Sequence, residues 1–137
     1  MLRLINQECS LEFRVRYSET DQMGGFYNSR VLEWFEMGRS ELFRVKGIPY
    51  TEIEARGVFL PLVEAHVEFL NRARYDDRLC LSTCSGMSGK ARLRCEHDLV
   101  HAESRIPVAK GYTVHACIDA NGKAIRPPKW MVELTEK

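Results

Sequence analysis

Residues 29–46, S-R-V-L-E-W-F-E-M-G-R-S-E-L-F-R-V-K, decide the fold of this chain. The stretch contains no proline, so nothing in it interrupts the backbone hydrogen bonds of a helix. Its apolar side chains recur every three or four positions, as they do on one face of an α-helix. The positions that set this period are Val31, Phe35, Leu42 and Val45. The sequence therefore predicts a helix about 27 Å long.

Both ends of the predicted helix carry boundary signals. Asn28 and Ser29 are residue types that cap helix N-termini, and Gly47 followed by Pro49 is typical of a C-terminus. Gly38 interrupts the helix at a cost of about 1 kcal/mol, which indicates close approach by a neighbouring backbone. Three further side chains widen the apolar stripe: Leu32, Trp34 and Met37. We therefore expect a helix that is covered on most sides.

Strand-like segments flank this helix. Residues 11–17, L-E-F-R-V-R-Y, alternate apolar and charged positions, which predicts a strand with one buried face. A short helical turn is expected at residues 51–57. Four more strand-like segments follow, at residues 58–70, 78–85, 91–102 and 108–119. The first of them contains V-E-A-H-V-E-F, which predicts a buried apolar face and a solvent-facing side with Glu64, His66 and Glu68.

The order of strand, long helix and four antiparallel strands predicts a single α+β domain over residues 1–137. Five strands can cover one helix only if the sheet curves strongly around it. The other face of such a sheet also needs cover. We therefore expect the chain to form a homodimer or a homotetramer.

The charge balance and the cysteines argue against several classes of function. Twenty basic and nineteen acidic residues leave a net charge of +1, which gives no field to attract nucleic acid or anionic lipid. Residues 1–13 contain charges and no long apolar run, so we expect no signal peptide or anchor and a cytoplasmic protein. The five cysteines include no C-x-x-C pair, and no His, Asp or Cys spacing predicts a metal site.

Acidic, glycine and aromatic residues concentrate in residues 17–28, between the first strand and the helix. A helix N-terminus presents free N–H groups and a partial positive charge, which stabilise a developing oxyanion. Asp21 lies in this segment, just before the tight loop that Gly24 and Gly25 predict. An Asp beside such a helix start can act as a nucleophile or a general base. The segment therefore has the residue types that acyl transfer needs.

Residues 17–36, Y-S-E-T-D-Q-M-G-G-F-Y-N-S-R-V-L-E-W-F-E, resemble the signature of 4-hydroxybenzoyl-CoA thioesterase-like hotdog proteins. The match combines the T-D pair, a Gly three residues after the Asp, an aromatic residue six after it, and the W-F-E run. Residues 69–77, F-L-N-R-A-R-Y-D-D, resemble a second segment of that family, where proline often stands at position 71. The resemblance implies a hotdog fold, in which a curved antiparallel five-stranded sheet wraps one long central helix. It also implies hydrolysis of an acyl-CoA thioester to free acid and coenzyme A.

The resemblance also implies roles for four residues. The catalytic carboxylate of the family falls on Asp21, as nucleophile or general base. The amide that polarises the thioester carbonyl falls on Asn28 or its neighbour, where family members often have His or Tyr. A backbone donor tolerates that change, whereas a side-chain role would not. Tyr27 and Gly24 are expected to shape the loop.

Coenzyme A carries phosphates, which a basic turn between two strands can bind. In relatives this turn often supplies Arg, Lys or Ser. The residues implied here are Ser88, Gly89, Lys90 and Arg92. Arg72 and Arg74 compete with them as cationic donors. Because coenzyme A is part of the substrate, no other cofactor is expected, and neither nucleic acid nor a membrane span is predicted.

Other interpretations concern the activity and single residues. The alternative to an enzyme is a non-hydrolytic acyl-CoA or acyl-carrier-protein binding module of the same fold. A dehydratase or hydratase of that fold would need a catalytic His near the long helix, and we expect none of the four histidines to lie there. Cys95 and His97 share a strand face, which we interpret as a chance pair. Glu19 is interpreted as a solvated loop charge. The acyl group is left open, and pocket depth is expected to depend on side chains packed across a subunit boundary: Trp34, Phe35, Phe59 and Leu60.

Overall fold

A five-stranded antiparallel sheet carries the long helix on one face, as the sequence predicts. The computed structural model describes residues 9–136. Its elements are β1 (Cys9–Arg14), α1 (Arg30–Val45), α2 (Tyr50–Ala55), β2 (Leu62–Phe69), β3 (Arg78–Ser88), β4 (Arg92–His101), β5 (Pro107–His115) and α3 (Lys129–Leu134). The strand order is β1-β3-β4-β5-β2, so β1 and β2 form the two edges. The α+β class and the antiparallel sheet are confirmed. The expectation that the four later strands pair in chain order holds for β3, β4 and β5 but is wrong for β2, which pairs with β5 and not with β3. Helix α3 was not predicted.

The ends of α1 lie within one residue of the predicted limits. Gly47, at a φ of +93°, follows the helix in a backbone conformation that favours glycine, so the predicted stop is confirmed. The helix has its N-cap at Ser29, as predicted, but the expected side-chain capping bond does not form. The backbone angles of Ser29 are helical. Within residues 9–136, none of the helices is both long and apolar enough to cross a bilayer.

Helix α1 buries one face against the sheet and leaves the other in contact with solvent. Its buried residues are Val31, Trp34, Phe35, Gly38, Leu42 and Phe43. Leu32 and Met37 are 38% and 39% exposed and Val45 is 61% exposed, so the expectation of a helix covered on most sides is wrong for a single chain. The sheet contacts only one side of the helix. It therefore covers some of the apolar side chains of α1 and leaves the others in solvent.

Two glycines allow the close packing of helix and sheet. A Cβ atom on Gly38 would lie 2.4 Å from Oγ1 of Thr83 and 2.7 Å from Cδ2 of Leu81, so the predicted close approach is present, although it involves side chains of β3. A Cβ atom on Gly111 of β5 would lie 2.0 Å from the carbonyl oxygen of His66 in β2. Both contacts are closer than real Cβ atoms tolerate, so these positions require glycine.

Strand β2 does not bury its apolar face as the sequence predicts. Val63 and Phe69 are 46% and 52% exposed, and only Val67 is partly buried. The physical reason is that β2 is an edge strand, whereas α1 packs mainly against β3 and β1. The prediction for the other face of this strand, that its charged side chains lie in solvent, is confirmed by the exposure of Glu64 and Glu68.

Two histidine side chains, His97 and His115, are buried between α1 and the sheet. His115 accepts a hydrogen bond from Arg39 at Nε2, 3.2 Å away, and donates from Nδ1 to the carbonyl of Leu60. His97 stacks on Phe35, with ring centroids 4.2 Å apart. Burial and the nearby Arg39 charge lower the pKa of His97 to about 3 and that of His115 to about 4. Both imidazoles are therefore neutral at physiological pH.

Candidate active site

A crevice of about 450 Å³ lies where the segment before α1 meets the end of β2. It is lined by Asp21, Met23, Gly25, Phe26, Asn28, Phe69, Leu70, Asn71 and Arg72. The structure thus brings together Asp21 and Asn28, two of the residues that the sequence analysis singled out. Gly24 and Tyr27 are not among the lining residues, and the Tyr27 side chain is 53% exposed.

A tight turn holds the Asp21 carboxylate at the crevice. The backbone N–H of Asp21 donates to the Gly25 carbonyl, and the N–H of Gly24 donates to the Asp21 carbonyl. Gly24 has a φ of +84°, which closes this turn as the sequence predicts. Oδ1 of Asp21 accepts the N–H of Met23 at 2.8 Å. Over residues 9–136, Oδ2 of Asp21 accepts no hydrogen bond, so one carboxylate oxygen is free to take a proton.

The start of α1 presents unused N–H groups beside this carboxylate. The N–H groups of Arg30 and Val31 donate to the carbonyls of Tyr27 and Asn28, at 2.9 and 3.2 Å. In the described part of the chain, the N–H groups of Asn28 and Ser29 have no acceptor. They precede the first turn of a sixteen-residue helix, where the partial charges of the helix favour an anion. A carbonyl oxygen in the crevice would therefore find donors at this end of the helix.

Glu19 is buried, so its interpretation as a solvated loop charge is wrong. Its carboxylate accepts the backbone N–H of Arg16 at 2.7 Å and the indole N–H of Trp34 at 2.8 Å. Burial by itself raises the pKa of Glu19, but these hydrogen bonds and the Arg16 guanidinium outweigh it and hold the pKa below its ordinary value. Trp34 lies fifteen positions away on α1, and no local sequence pattern predicts a hydrogen-bond partner at that distance.

The second wall of the crevice is apolar. Phe26 stacks against Phe69 with ring centroids 6.4 Å apart, and Leu70 lies next to Phe69 in the chain. Phe69 and Leu70 are 52% and 41% exposed, so this wall is open on one side in a single chain. The sequence analysis missed Phe26 and Phe69 as lining residues, because strand alternation predicted Phe69 to be buried.

The expected pocket residues lie elsewhere. Trp34, Phe35 and Leu60 are 1%, 0% and 5% exposed within one chain, so they are core residues and do not lie at a free boundary. The reason is that α1 turns its aromatic side chains toward the sheet and not toward the edge strand. In a single chain the crevice is lined by other side chains, among them Phe69 and Leu70 at the end of β2.

Arg72 is the cation that lines the crevice. Its Nη1 donates to the Met23 carbonyl at 3.0 Å, and His101 Nε2 donates to its backbone carbonyl at 2.9 Å. Across residues 9–136, no carboxylate pairs with the Arg72 guanidinium, so its charge faces the crevice without a counter-ion. The sequence analysis had named Arg72 only as a competitor of the basic turn.

That basic turn lies at the other end of the sheet. Ser88, Gly89, Lys90 and Arg92 connect β3 to β4, whereas the crevice lies near Arg78, where β3 begins. The eleven residues of β3 separate the two ends by about 35 Å. Within one chain, the structure does not bring these residues to Asp21. Their role with coenzyme A stays a prediction that would require a second chain.

Cys95 and His97 lie outside the crevice, and His97 and His115 pack against α1, so the expectation that no histidine lies near the long helix is wrong. Cys95 is fully buried, and His97 is 1% exposed with Nδ1 3.0 Å from Oγ1 of Thr83. A histidine with its pKa near 3 is a poor base for activating a thiol at neutral pH. In the part of the chain that the structure describes, no three His, Cys, Asp or Glu side chains are grouped so that they could hold a metal ion.

Comparisons with known proteins agree with this architecture. Residues 15–134 match the family model described as the thioesterase-like superfamily. A 1,4-dihydroxy-2-naphthoyl-CoA hydrolase of Synechocystis sp. is 27% identical over 128 residues, which cover 91% of this chain and 93% of that protein.

Solved structures superpose on nearly the whole chain. A hypothetical protein of Aquifex aeolicus gives a TM-score of 0.87 at 27% identity, and covers 93% of this chain and 99% of its own. A 1,4-dihydroxy-2-naphthoyl-CoA thioesterase from Synechocystis gives a TM-score of 0.83 at 24% identity, with 93% and 95% covered. The predicted hotdog fold is confirmed. The chain belongs to the thioesterase-like superfamily and is a thioester hydrolase.

Proposed function

We propose that this protein hydrolyses an acyl-CoA thioester to a free acid and coenzyme A, with Asp21 as its catalytic carboxylate. The observation that carries the proposal is that Asp21 and the start of α1 line one crevice. The names of relatives that act on 1,4-dihydroxy-2-naphthoyl-CoA support a CoA thioester as the class of substrate. The reaction consumes water and needs no metal and no further cofactor.

The chemistry divides between a base and an oxyanion site. In the general-base route, Oδ2 of Asp21 takes a proton from water while the water oxygen attacks the thioester carbonyl. The carbonyl oxygen becomes negative and is stabilised by the unused N–H of Asn28 at the start of α1. The C–S bond then breaks, and the proton passes to the departing thiolate. In the nucleophilic route, Asp21 attacks the carbonyl itself, and the C–S bond breaks to release the coenzyme A thiolate and leave a mixed anhydride. Water then hydrolyses the anhydride to the free acid and the Asp21 carboxylate, and the proton released goes to the thiolate.

The test is a screen of acyl-CoA substrates with aromatic, short-chain and long-chain acyl groups, in which hydrolysis is measured as the release of free thiol. The parent protein should hydrolyse at least one class, and Asp21→Asn should not. Label in the Asp21 carboxylate after a single turnover in ¹⁸O-labelled water would identify the nucleophilic route with water attacking the Asp21 carbonyl carbon of the anhydride, because the general-base route puts label only in the free acid. Tight binding of acyl-CoA without thiol release would instead favour a binding module.

Arg72 is our candidate for holding a phosphate group of coenzyme A. We expect Arg72→Met to raise KM for acyl-CoA about tenfold, since a charge-assisted hydrogen bond contributes about 1.5–3 kcal/mol. The same variant should leave KM unchanged for the matching acyl-pantetheine thioester, which has no phosphate. Steady-state kinetics with both substrates measures the difference.

Lys90→Met is the matched control for this experiment, because Lys90 belongs to the competing basic turn. Suppose that Lys90→Met raises KM for acyl-CoA but not for acyl-pantetheine, and that Arg72→Met changes neither. The phosphates then bind at the β3–β4 turn. An equal rise for both substrates in Arg72→Met would mean that Arg72 only supports the loop through the Met23 carbonyl.

We propose further that a second copy of the chain covers the β2 edge. The support is the exposed apolar side chains of Leu62, Val63 and Phe69 on an edge strand that also forms the open side of the crevice. Sedimentation equilibrium should give two or four times 15.8 kDa. Val63→Lys should shift the mass toward one chain, whereas Ile106→Lys, an exposed apolar residue in the β4–β5 loop, should not. A parent that sediments as a single chain would contradict the proposal.

A further inference from the structure

Glu19 connects both ends of the segment that carries Asp21. Its carboxylate binds the N–H of Arg16, before the segment, and the indole N–H of Trp34 on α1. Its own backbone carbonyl accepts the N–H of Tyr27 at 2.8 Å, where the segment reaches the helix. One residue therefore fixes the start of the segment, its end and the helix relative to each other.

The partner of this carboxylate is itself held firmly. Trp34 is 1% exposed, and its ring packs against Phe26 and Phe13 with centroid distances of 5.1 and 5.2 Å. Phe26 in turn lines the crevice and donates its N–H to the Ala73 carbonyl. A displacement of Glu19 would therefore act on Asp21 along the chain and on the crevice wall through Trp34 and Phe26.

A buried carboxylate is costly for a fold that needs only to be stable. Glu19 is 4% exposed, and its nearest cationic group is the largely exposed guanidinium of Arg16, at 3.4 Å. Replacing buried charged groups by apolar residues of similar volume often leaves stability unchanged or raises it. A carboxylate in this place, two positions from Asp21, is explained better by the geometry that it imposes than by the stability that it adds.

We infer that Glu19 is a positioning residue, whose hydrogen bonds to Arg16 and Trp34 hold Asp21 in register with the N–H groups at the start of α1. This inference rests on the proposed function of Asp21. Glu19 touches no substrate in this arrangement, because its carboxylate is buried and both of its oxygens accept hydrogen bonds from the protein.

The test compares Glu19→Met, Trp34→Phe and the double variant. Glu19→Met alone leaves two N–H donors without an acceptor, which should lower Tm as well as kcat. The double variant removes the carboxylate and the indole donor together and leaves only the Arg16 N–H without its acceptor, so Tm should recover in part toward that of the parent. If Glu19 positions Asp21, kcat of the double variant should stay about 10- to 100-fold below the parent, because misplacing a catalytic group costs activity on that scale. KM should change less than about threefold, since substrate-binding side chains are untouched.

A purely structural role predicts the opposite result, in which kcat returns together with Tm in the double variant. That outcome, or a parent-like kcat in folded Glu19→Met, would overturn the inference. Trp130→Phe is the control for the loss of an indole, because Trp130 lies in α3 and its ring contacts Arg56. It should keep the parent kcat. Asp21→Asn is assayed in parallel to separate the two proposals. If this variant hydrolyses acyl-CoA at the parent rate, the proposed function fails. If it is inactive while the Glu19 variants keep the parent kcat, only the positioning role of Glu19 fails.

Discussion

Asp21→Asn is expected to lower kcat for acyl-CoA hydrolysis by a factor of about 10² to 10⁴, the contribution of a well-placed general base. The substitution should leave the local fold intact. Oδ1 of Asp21 accepts the N–H of Met23, and the amide oxygen of Asn can accept the same hydrogen bond. What the variant loses is the basicity of the free oxygen, so the defect should appear in kcat, with KM and Tm close to those of the parent. Release of free thiol and thermal unfolding measure both properties.

The matched control is Asp119→Asn. Asp119 makes the same kind of turn, with Oδ1 accepting the N–H groups of Asn121 and Lys123, but it lies in the loop after β5. It should retain the parent kcat. If Asp21→Asn hydrolysed the whole acyl-CoA panel at the parent rate, Asp21 would be neither base nor nucleophile, and the proposed mechanism would be wrong.

Gly111→Ala is expected to destabilise the protein by about 3 kcal/mol or more, at the upper end of the cost of overpacking. The added Cβ would lie 2.0 Å from the carbonyl oxygen of His66 and 3.1 Å from Cε2 of Phe35. The first contact is with backbone, so it cannot be relieved by a rotamer change, and β2 must move away from β5. Tm should fall by about 10 °C. Because β2 carries Phe69, kcat/KM should fall as well.

Gly86→Ala is the control for a strand glycine. Gly86 lies in β3 opposite Arg94, and a Cβ atom there would have no neighbour within 4 Å. Its Tm should change by no more than about 2 °C, since an alanine in an unobstructed strand position loses less conformational entropy on folding. A parent-like Tm for Gly111→Ala, measured by circular dichroism in the same experiment, would show that β2 and β5 do not approach so closely.

The sequence predicts what depends on neighbouring residues. The limits of α1 follow from its apolar period and from Gly47, and the structure agrees within one residue. Asp21 and Asn28 were assigned to one site because residues 17–36 resemble a known family signature between a strand and a helix, and both line the crevice. Local patterns of this kind need no knowledge of the packed structure.

The sequence fails where the outcome depends on distant packing. Glu19 is buried because Trp34 of α1 offers it an N–H donor, a contact that alternation cannot predict. Phe69 belongs to an apolar face by its period, yet it is half exposed because β2 is an edge strand. Helix α3 was missed because a six-residue helix after Pro128 is too short for a helical period to be evident.

The crevice is built from two separate pieces of chain. The group proposed to perform the chemistry lies in the turn before α1, whereas Phe69 and Leu70, which form its apolar wall, lie at the end of β2 more than forty residues later. If the proposed function holds, we expect substitutions at the two positions of the wall to change which acyl groups are accepted without altering the turn that carries Asp21. Such a division allows relatives to diverge in substrate preference while they share one hydrolytic apparatus.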